Sequence, residues 1–285
     1  MSKAHALPDW LEIGRGSAPV VVSFPHTGVE IPEPLGENFV SPWQARRDAD
    51  WWVDRLYDFA GELGASTVRT RLSRSVIDVN RDPSGASLYP GQATTELCPT
   101  TDFDGARLYK DNAAPDANEI ARRRTLYFEP YHAALAREIG RLHGEYPTVI
   151  LFDAHSIRSR IPRLFEGVLP HFNIGSNGGR SCAPELTAMV NAACSASGLT
   201  HVVDGRFKGG WTTRHYGRPE RGIHAIQLEL ACRSYMDEPE LPTPDNWPTP
   251  YDPARARKLR LVLRKILEIC LAFASRPKAS GARRL

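Results

Sequence analysis

Histidines and carboxylates stand where hydrophobic runs stop. Thr148 to Arg160 reads TVILFDAHSIRSR: four apolar residues, Val149 to Phe152, then Asp153, His155 and Ser156, then Arg158 and Arg160. A run without polar relief predicts a strand buried on both faces, and ligand sites in open α/β sheets lie beyond the carboxyl ends of such strands. PVVVSFPHTG, Pro19 to Gly28, repeats the pattern and puts His26 at a second strand end. Asp48 and Asp50 fall in the first turn of the next helical stretch, and HAIQLEL, His224 to Leu230, places Glu229 near a third strand end. Histidine, carboxylate and histidine from separate element ends can give a zinc ion three ligands and leave the fourth position to water. Zinc lowers the pKa of that water to about 7, which supplies hydroxide at neutral pH. The candidate ligands are His26, His155 and one of Asp48 or Asp50, with Glu229 as the carboxylate that moves protons. Asp153 either orients a ligand histidine from behind or simply ends its strand.

Each residue taken alone has an ordinary explanation. Aspartates in a first turn favour a helix N-terminus, a strand glutamate can be a paired carboxylate, and most loop arginines are solvated. Serine chemistry competes because Ser156 adjoins His155, but no G-x-S-x-G elbow is present and sequence neighbours rarely form a nucleophile and base pair. Neither phosphate-loop motif, GxxxxGK[ST] or GxGxxG, occurs.

The elements that must position these groups alternate between strand and helix. An amphipathic helix is predicted over Ala45 to Leu63, then strands over Ser66 to Arg71 and Ser75 to Asn80, the second ending in Asn80-Arg81. Ser84 to Ala114 reads as a long ordered loop. Helical spacing returns from Pro115 to Glu145, with Pro130 expected to kink or divide it. After the Thr148 strand, Ser156 to Ser181 is irregular, a helix opens at Pro184 and closes at Gly198, and Gly205 to Arg221 is a glycine-punctuated basic loop. Asp252-Pro253 starts a last helix running to about Ala274, and the basic tail 276–285 is expected to fray. This order predicts one α/β domain over 1–285, a three-layer α/β/α arrangement around a mixed, largely parallel sheet.

The totals restrict the partners. A net charge of +3 in 285 residues, with scattered basic residues, excludes nucleic acid as the evident partner and suits a small anionic substrate. No signal-peptide run and no membrane-length apolar segment occur, so a cytoplasmic protein with no membrane partner is expected. Five dispersed cysteines without a CxxC pair suggest reduced, structural thiols. No heptad seam indicates an oligomeric state.

Six blocks taken together resemble the N-formylglutamate amidohydrolase, or N-formylglutamate deformylase, family: SFPHTG (Ser23 to Gly28), DADWW (Asp48 to Trp52), SRSVIDVNR (Ser73 to Arg81), LFDAHSIRSRIPRLFEG (Leu151 to Gly167), GRFKGGWTTRHYG (Gly205 to Gly217) and HAIQLELA (His224 to Ala231). They stand in that order between about Pro19 and Met236. The resemblance implies hydrolysis of N-formyl-L-glutamate to L-glutamate and formate, the last step of one histidine degradation route. It also implies a phosphorylase/hydrolase-like three-layer fold like that of zinc carboxypeptidases and aspartoacylases.

Carried over residue by residue, the resemblance implies zinc, or another divalent transition metal, at His26, Asp50 and His155, with Asp48 as the second choice for the acidic ligand. Glu229 takes the place of the general base. Asn80-Arg81, within DVNR, is similar to a DLNR element that binds substrate carboxylate. The carboxypeptidase HxxE pair is absent, since Thr27, Gly28 and Val29 follow His26; Glu30 is the remaining alternative. A substrate with two carboxylates asks for bidentate guanidinium groups, and Arg74, Arg81, Arg158, Arg160 and Arg206 are the expected supply, with Arg214 at the oxyanion. The alternatives are a zinc amidohydrolase of the same fold acting on another N-acyl or formimino amino acid, and a metal-free anion-binding module.

Overall fold

The structure, a computed structural model, describes residues 7–276. Its sheet has seven strands in the order β1-β3-β2-β4-β7-β5-β6: β1 (Leu11–Gly14), β2 (Val20–Phe24), β3 (Ser66–Thr70), β4 (Val149–Ile157), β5 (Phe172–Gly175), β6 (His201–Val203) and β7 (Ile223–Ala231). The central four, β3, β2, β4 and β7, run parallel, while β1 joins β3 and β5 joins β7 antiparallel. One face is covered by α1 (Val53–Leu56), α4 (Pro184–Ala196) and α6 (Pro253–Ala274), the other by α3 (Glu129–Glu145). This is the expected α/β architecture with a mixed, largely parallel sheet. No helix among the described residues is long and apolar enough to cross a membrane.

Strand alternation decides what reaches the site. Ile150, Phe152 and Ala154 of β4 pack in the layer of α4 and α6, whereas Val149 and Leu151 pack in the layer of α3. Because successive side chains point to opposite faces, Asp153 and His155 continue the row of Val149 and Leu151 to the strand's carboxyl end. β7 lies in register beside it, Asp153 opposite Gln227 and His155 opposite Glu229. Gln227 and Glu229 of HAIQLEL are therefore buried on the face that carries the site, whereas His224 is buried on the opposite face, with its ring against Phe273 of α6.

Three local expectations give way. The amphipathic stretch Ala45 to Leu63 holds only α1 and a 3₁₀ turn at Asp58–Ala60. The Asp50 N–H donates to the His26 carbonyl at 2.9 Å, and Trp52 takes a left-handed φ of 63°, so the chain bends over the end of β2. Its apolar spacing reports burial: Leu56 and Phe59 enter the core and Trp52 and Leu63 pack against it. Ser75 to Asn80 is coiled, not a strand, because the Asp78 carboxylate accepts the Asn80 N–H at 2.9 Å and turns its own backbone. Near Pro130 the helical stretch divides as expected, and the division takes the form of a π turn, Arg124–Phe128, between α2 (Ala117–Arg123) and α3, which has Pro130 in its first turn. Finally β5 and β6, four and three residues long, emerge from stretches without strand periodicity, and the basic loop contains α5 (Trp211–Tyr216).

α6 follows its capping signal, the Asp252 carboxylate accepting the Ala254 and Arg255 N–H groups. The fraying expected after Arg276 falls outside the described residues. All five cysteines are free and buried. Phe152 is fully buried, with its ring centroid 5.7 Å from that of Tyr57. Phe152→Ala is expected to lower the unfolding free energy by about 3 to 5 kcal/mol in urea denaturation; a change under about 1 kcal/mol would contradict this packing.

Candidate active site

β2 and β4 are neighbours, yet the chain leaves β2 toward β3 on one side and reaches β7 and β5 on the other. A crevice opens at such a divergence. His26 follows β2, His155 ends β4, and the bend before α1 carries Asp50 across to both. Asp50 Oδ2 lies 2.9 Å from His155 Nδ1 and 3.7 Å from His26 Nδ1. One donor atom from each of His26, Asp50 and His155 falls within 4.8 Å of the others, and all three residues are buried.

The far sides of both rings are held by carboxylates. His26 Nε2 lies 2.6 Å from Asp78 Oδ1, and His155 Nε2 lies 3.0 Å from Asp153 Oδ2. An ionised carboxylate only accepts, so each Nε2 carries the proton and donates it. Each Nδ1 is directed at Asp50: that of His155 is hydrogen-bonded to the Asp50 carboxylate and gives up its proton if a metal takes that place, while that of His26 lies farther off. His26 Nδ1 is buried and has no hydrogen-bond partner. Two imidazole nitrogens and a carboxylate, each imidazole backed by a second carboxylate, form a donor set suited to zinc or a related divalent metal.

The surroundings favour the charged forms of Asp50, Asp78 and His155. Burial pushes the Asp50 carboxyl up, but hydrogen bonds to His155 and His26 outweigh it and leave the acid below its ordinary range. Burial also opposes ionisation of Asp78, and the charges of Arg74, His26 and Arg81 reverse this. Burial disfavours a cationic His155, yet Asp153 and Asp50 raise its pKa well above the usual value. Glu229 differs: burial pushes it up to about 7 despite the opposing charge of His155. Its Oε2 accepts from Gln227 Nε2 at 3.1 Å, while Gln227 Oε1 accepts the Gly210 N–H at 2.8 Å.

A cavity opens over the cluster. Its polar walls include Arg74, Arg81, Arg206 and Glu229, and its apolar ones Phe103, Leu164 and Phe207. Asn80 closes the floor, donating to Asp153 Oδ2 at 3.2 Å and accepting the Thr212 N–H at 2.8 Å. A Cβ on Gly210 would stand 2.4 Å from the Asn80 amide, so only glycine allows this approach.

The structure gathers His26, Asp50, His155, Glu229, Asn80, Arg74, Arg81 and Arg206, and leaves other candidates outside. Asp48 Oδ2 accepts the Phe103 N–H at 2.7 Å and its Oδ1 lies 3.7 Å from Arg158, away from the histidines; burial raises its pKa to about 6. Glu30 pairs with Arg71 at 2.7 Å on the surface. Arg158 bonds Asp104 at 2.8 Å, and with exposed Arg160 it borders a different depression. Arg214 lies over Tyr89, 4.9 Å from the ring centre, and does not line the cavity. The expected grips at Arg158 and Arg160, and an oxyanion place for Arg214, therefore do not match the geometry. Ser156 points to the opposite face of β4 from His155 and accepts from the Tyr235 hydroxyl at 2.8 Å, which removes the serine-nucleophile arrangement.

Asp78 and Gln227, which bond His26 and Glu229, are the members of this cluster that motif reading passes over. The signal for Asp78 is an acid inside the apolar run VIDV, where a buried carboxylate requires partners.

The chain has extensive relatives. A model of the N-formylglutamate amidohydrolase family matches residues 18–236. The chain is 46% identical over 264 residues to N-formylglutamate deformylase of Pseudomonas aeruginosa, covering 92% of this chain and 96% of that protein. Identity to N-formylglutamate deformylase of Pseudomonas putida is 43%, with the same coverage. The crystal structure of N-formylglutamate amidohydrolase from Ralstonia eutropha is similar with a TM-score of 0.73 at 23% identity, covering 91% of this chain and 98% of that one. A gene product of Agrobacterium tumefaciens follows at 0.68 and 17%, covering 95% and 98%. At those identities the two structures bear on the fold. The family match spans His26, Asp50, Asp78, Asp153, His155 and Glu229, and the chain belongs to the N-formylglutamate amidohydrolase family.

Proposed function

We propose that this chain hydrolyses the formyl amide of N-formyl-L-glutamate, releasing L-glutamate and formate, with a divalent metal ion at His26, Asp50 and His155. The observation that carries the reading is the convergence of three buried donors, one of them an unbonded His26 Nδ1, beside Glu229 in an arginine-lined cavity. A divalent ion bound there supplies Lewis acidity, polarising a carbonyl and acidifying water.

The remaining steps belong to the protein's own groups. Glu229, buried and close to neutral pH in its affinity for protons, takes a proton from the attacking water and passes it to the amine as the C–N bond breaks. The water oxygen stays with the formyl carbon as formate. Gln227 holds one oxygen of Glu229 and Gly210 holds Gln227, so the carboxylate keeps its direction. Arg81 is fixed by the Thr95 carbonyl and hydroxyl, both at 3.1 Å, and offers its remaining donors to a substrate carboxylate. Arg74 is committed to Asp78 at 2.6 Å and helps keep that acid ionised. In this reading the enzyme closes one route of histidine degradation in the cytoplasm.

Formate release from N-formyl-L-glutamate by the metal-loaded protein, compared with N-acetyl and N-formimino glutamate, tests the substrate; absence of formate with all metals tried would reject it. Glu229→Gln is expected to keep one metal ion per chain by elemental analysis and to lower kcat about 10² to 10⁴-fold. Undiminished turnover would remove Glu229 from the reaction. Asp78→Asn, which leaves the His26 ring without its charged support, is expected to weaken metal binding about 10 to 100-fold in chelator competition. Unchanged affinity would show that the His26 ring needs no such support.

A further inference from the structure

Arg206 differs from the other arginines of the cavity. Arg74 and Arg81 both lie near Asp78, at 2.6 and 3.7 Å, whereas Arg206 forms no ion pair among the described residues. Its head is nevertheless fixed. Nε donates to the Leu164 carbonyl at 2.7 Å, Nη2 donates to the Ala93 carbonyl at 2.9 Å, and the guanidinium carbon lies 5.3 Å from the Tyr89 ring centre and 5.2 Å from that of Phe207. These anchors come from three separate irregular segments, so the position does not depend on one loop. Two of the five N–H donors are used, and three remain for a ligand. Burial, together with the nearby Arg81 charge, lowers its pKa from the ordinary value. A half-buried guanidinium among aromatic rings, with no carboxylate in ion-pair range and only the more distant charge of Glu229 acting on it, is a preorganised place for an anion.

Arg81 and Arg206 occupy different positions relative to the metal donors. Arg81 reaches Asp78, which bonds His26, whereas Arg206 contacts only loop carbonyls and aromatic rings. In an N-formyl amino acid the α-carboxylate is bound to the carbon next to the reacting amide, and the side-chain carboxylate lies farther away. We propose that Arg206 is the specificity-determining residue that binds the side-chain carboxylate, so that the site selects acidic N-formyl amino acids over neutral ones of the same shape. This rests on the deformylase reading above.

The test compares kcat/KM for N-formyl-L-glutamate and N-formyl-L-glutamine in the metal-loaded wild type, Arg206→Gln and Arg206→Lys. The wild type is expected to favour the glutamate compound at least about 100-fold. Arg206→Gln should erase most of that preference, chiefly by raising KM for the glutamate compound, and should lower kcat/KM for the glutamine compound by a much smaller factor. Arg206→Lys should recover part of it, since lysine keeps the charge without the fork. L-Glutamate binding by calorimetry should fall in the same order, independently of turnover. If Arg206→Gln lowers both substrates by the same factor, Arg206 only holds the loops together and the proposal is wrong. If the wild type releases formate from neither compound, the deformylase reading fails, and this inference with it.

Discussion

The desolvation of four carboxylates around two imidazoles governs the rest of this structure. Asp50, Asp78, Asp153 and Glu229 are all buried beside His26 and His155, and two guanidinium groups, Arg74 and Arg81, lie against them. Removing an ion from water costs several kcal/mol unless opposite charge and hydrogen bonds replace the solvent. Arg74 reaches Asp78 and Asp50, Asn80 and His155 reach Asp153, and the Asn80 N–H reaches Asp78. Four acids against two guanidinium groups leave two negative charges to be met by protons or by a divalent cation. The unbonded His26 Nδ1, 3.7 Å from Asp50, adds a free polar atom beside that charge.

This constraint accounts for the irregular backbone. A continuous helix over Ala45 to Leu63 would not join Asp50 to the end of β2, so the chain spends a left-handed Trp52 and a run of turns to bring the carboxylate in. Residues held in sparsely populated conformations persist where surrounding structure over-determines them, and here the neighbouring Asp50 N–H is tied to the His26 carbonyl. The coiling of Ser75 to Asn80 has the same origin. Asp78 faces His26 and Asn80 faces His155, and the turn that joins them is closed by the Asn80 N–H on the Asp78 carboxylate.

The strands that carry the histidines were legible because buried parallel strands have a strong apolar signature, and His155 sits where that signature in β4 ends. The α6 cap and the long loop over Ser84 to Ala114 were legible for local reasons, a capping aspartate and a lack of periodicity. The candidate acidic ligand was less so: Asp48 and Asp50 share one turn, and only the fold shows that Asp48 turns to Phe103 while Asp50 turns to the histidines. Arginines were the least legible. Their long side chains reach partners set by tertiary contacts, so Arg158, adjacent in sequence to the site strand, pairs with Asp104, whereas Arg206, far from it in sequence, lines the cavity. Short edge strands such as β6 carry too few residues to show a period.

Anomalous diffraction at the metal absorption edge, from crystals of the zinc-loaded protein, addresses the arrangement of the two imidazoles most directly. The expected result is a single peak bonded to Nδ1 of His26, Nδ1 of His155 and a carboxylate oxygen of Asp50, with each Nε2 still on its aspartate. A peak bonded through either Nε2, or ordered zinc only elsewhere on the chain, would contradict the carboxylate-backed donor set.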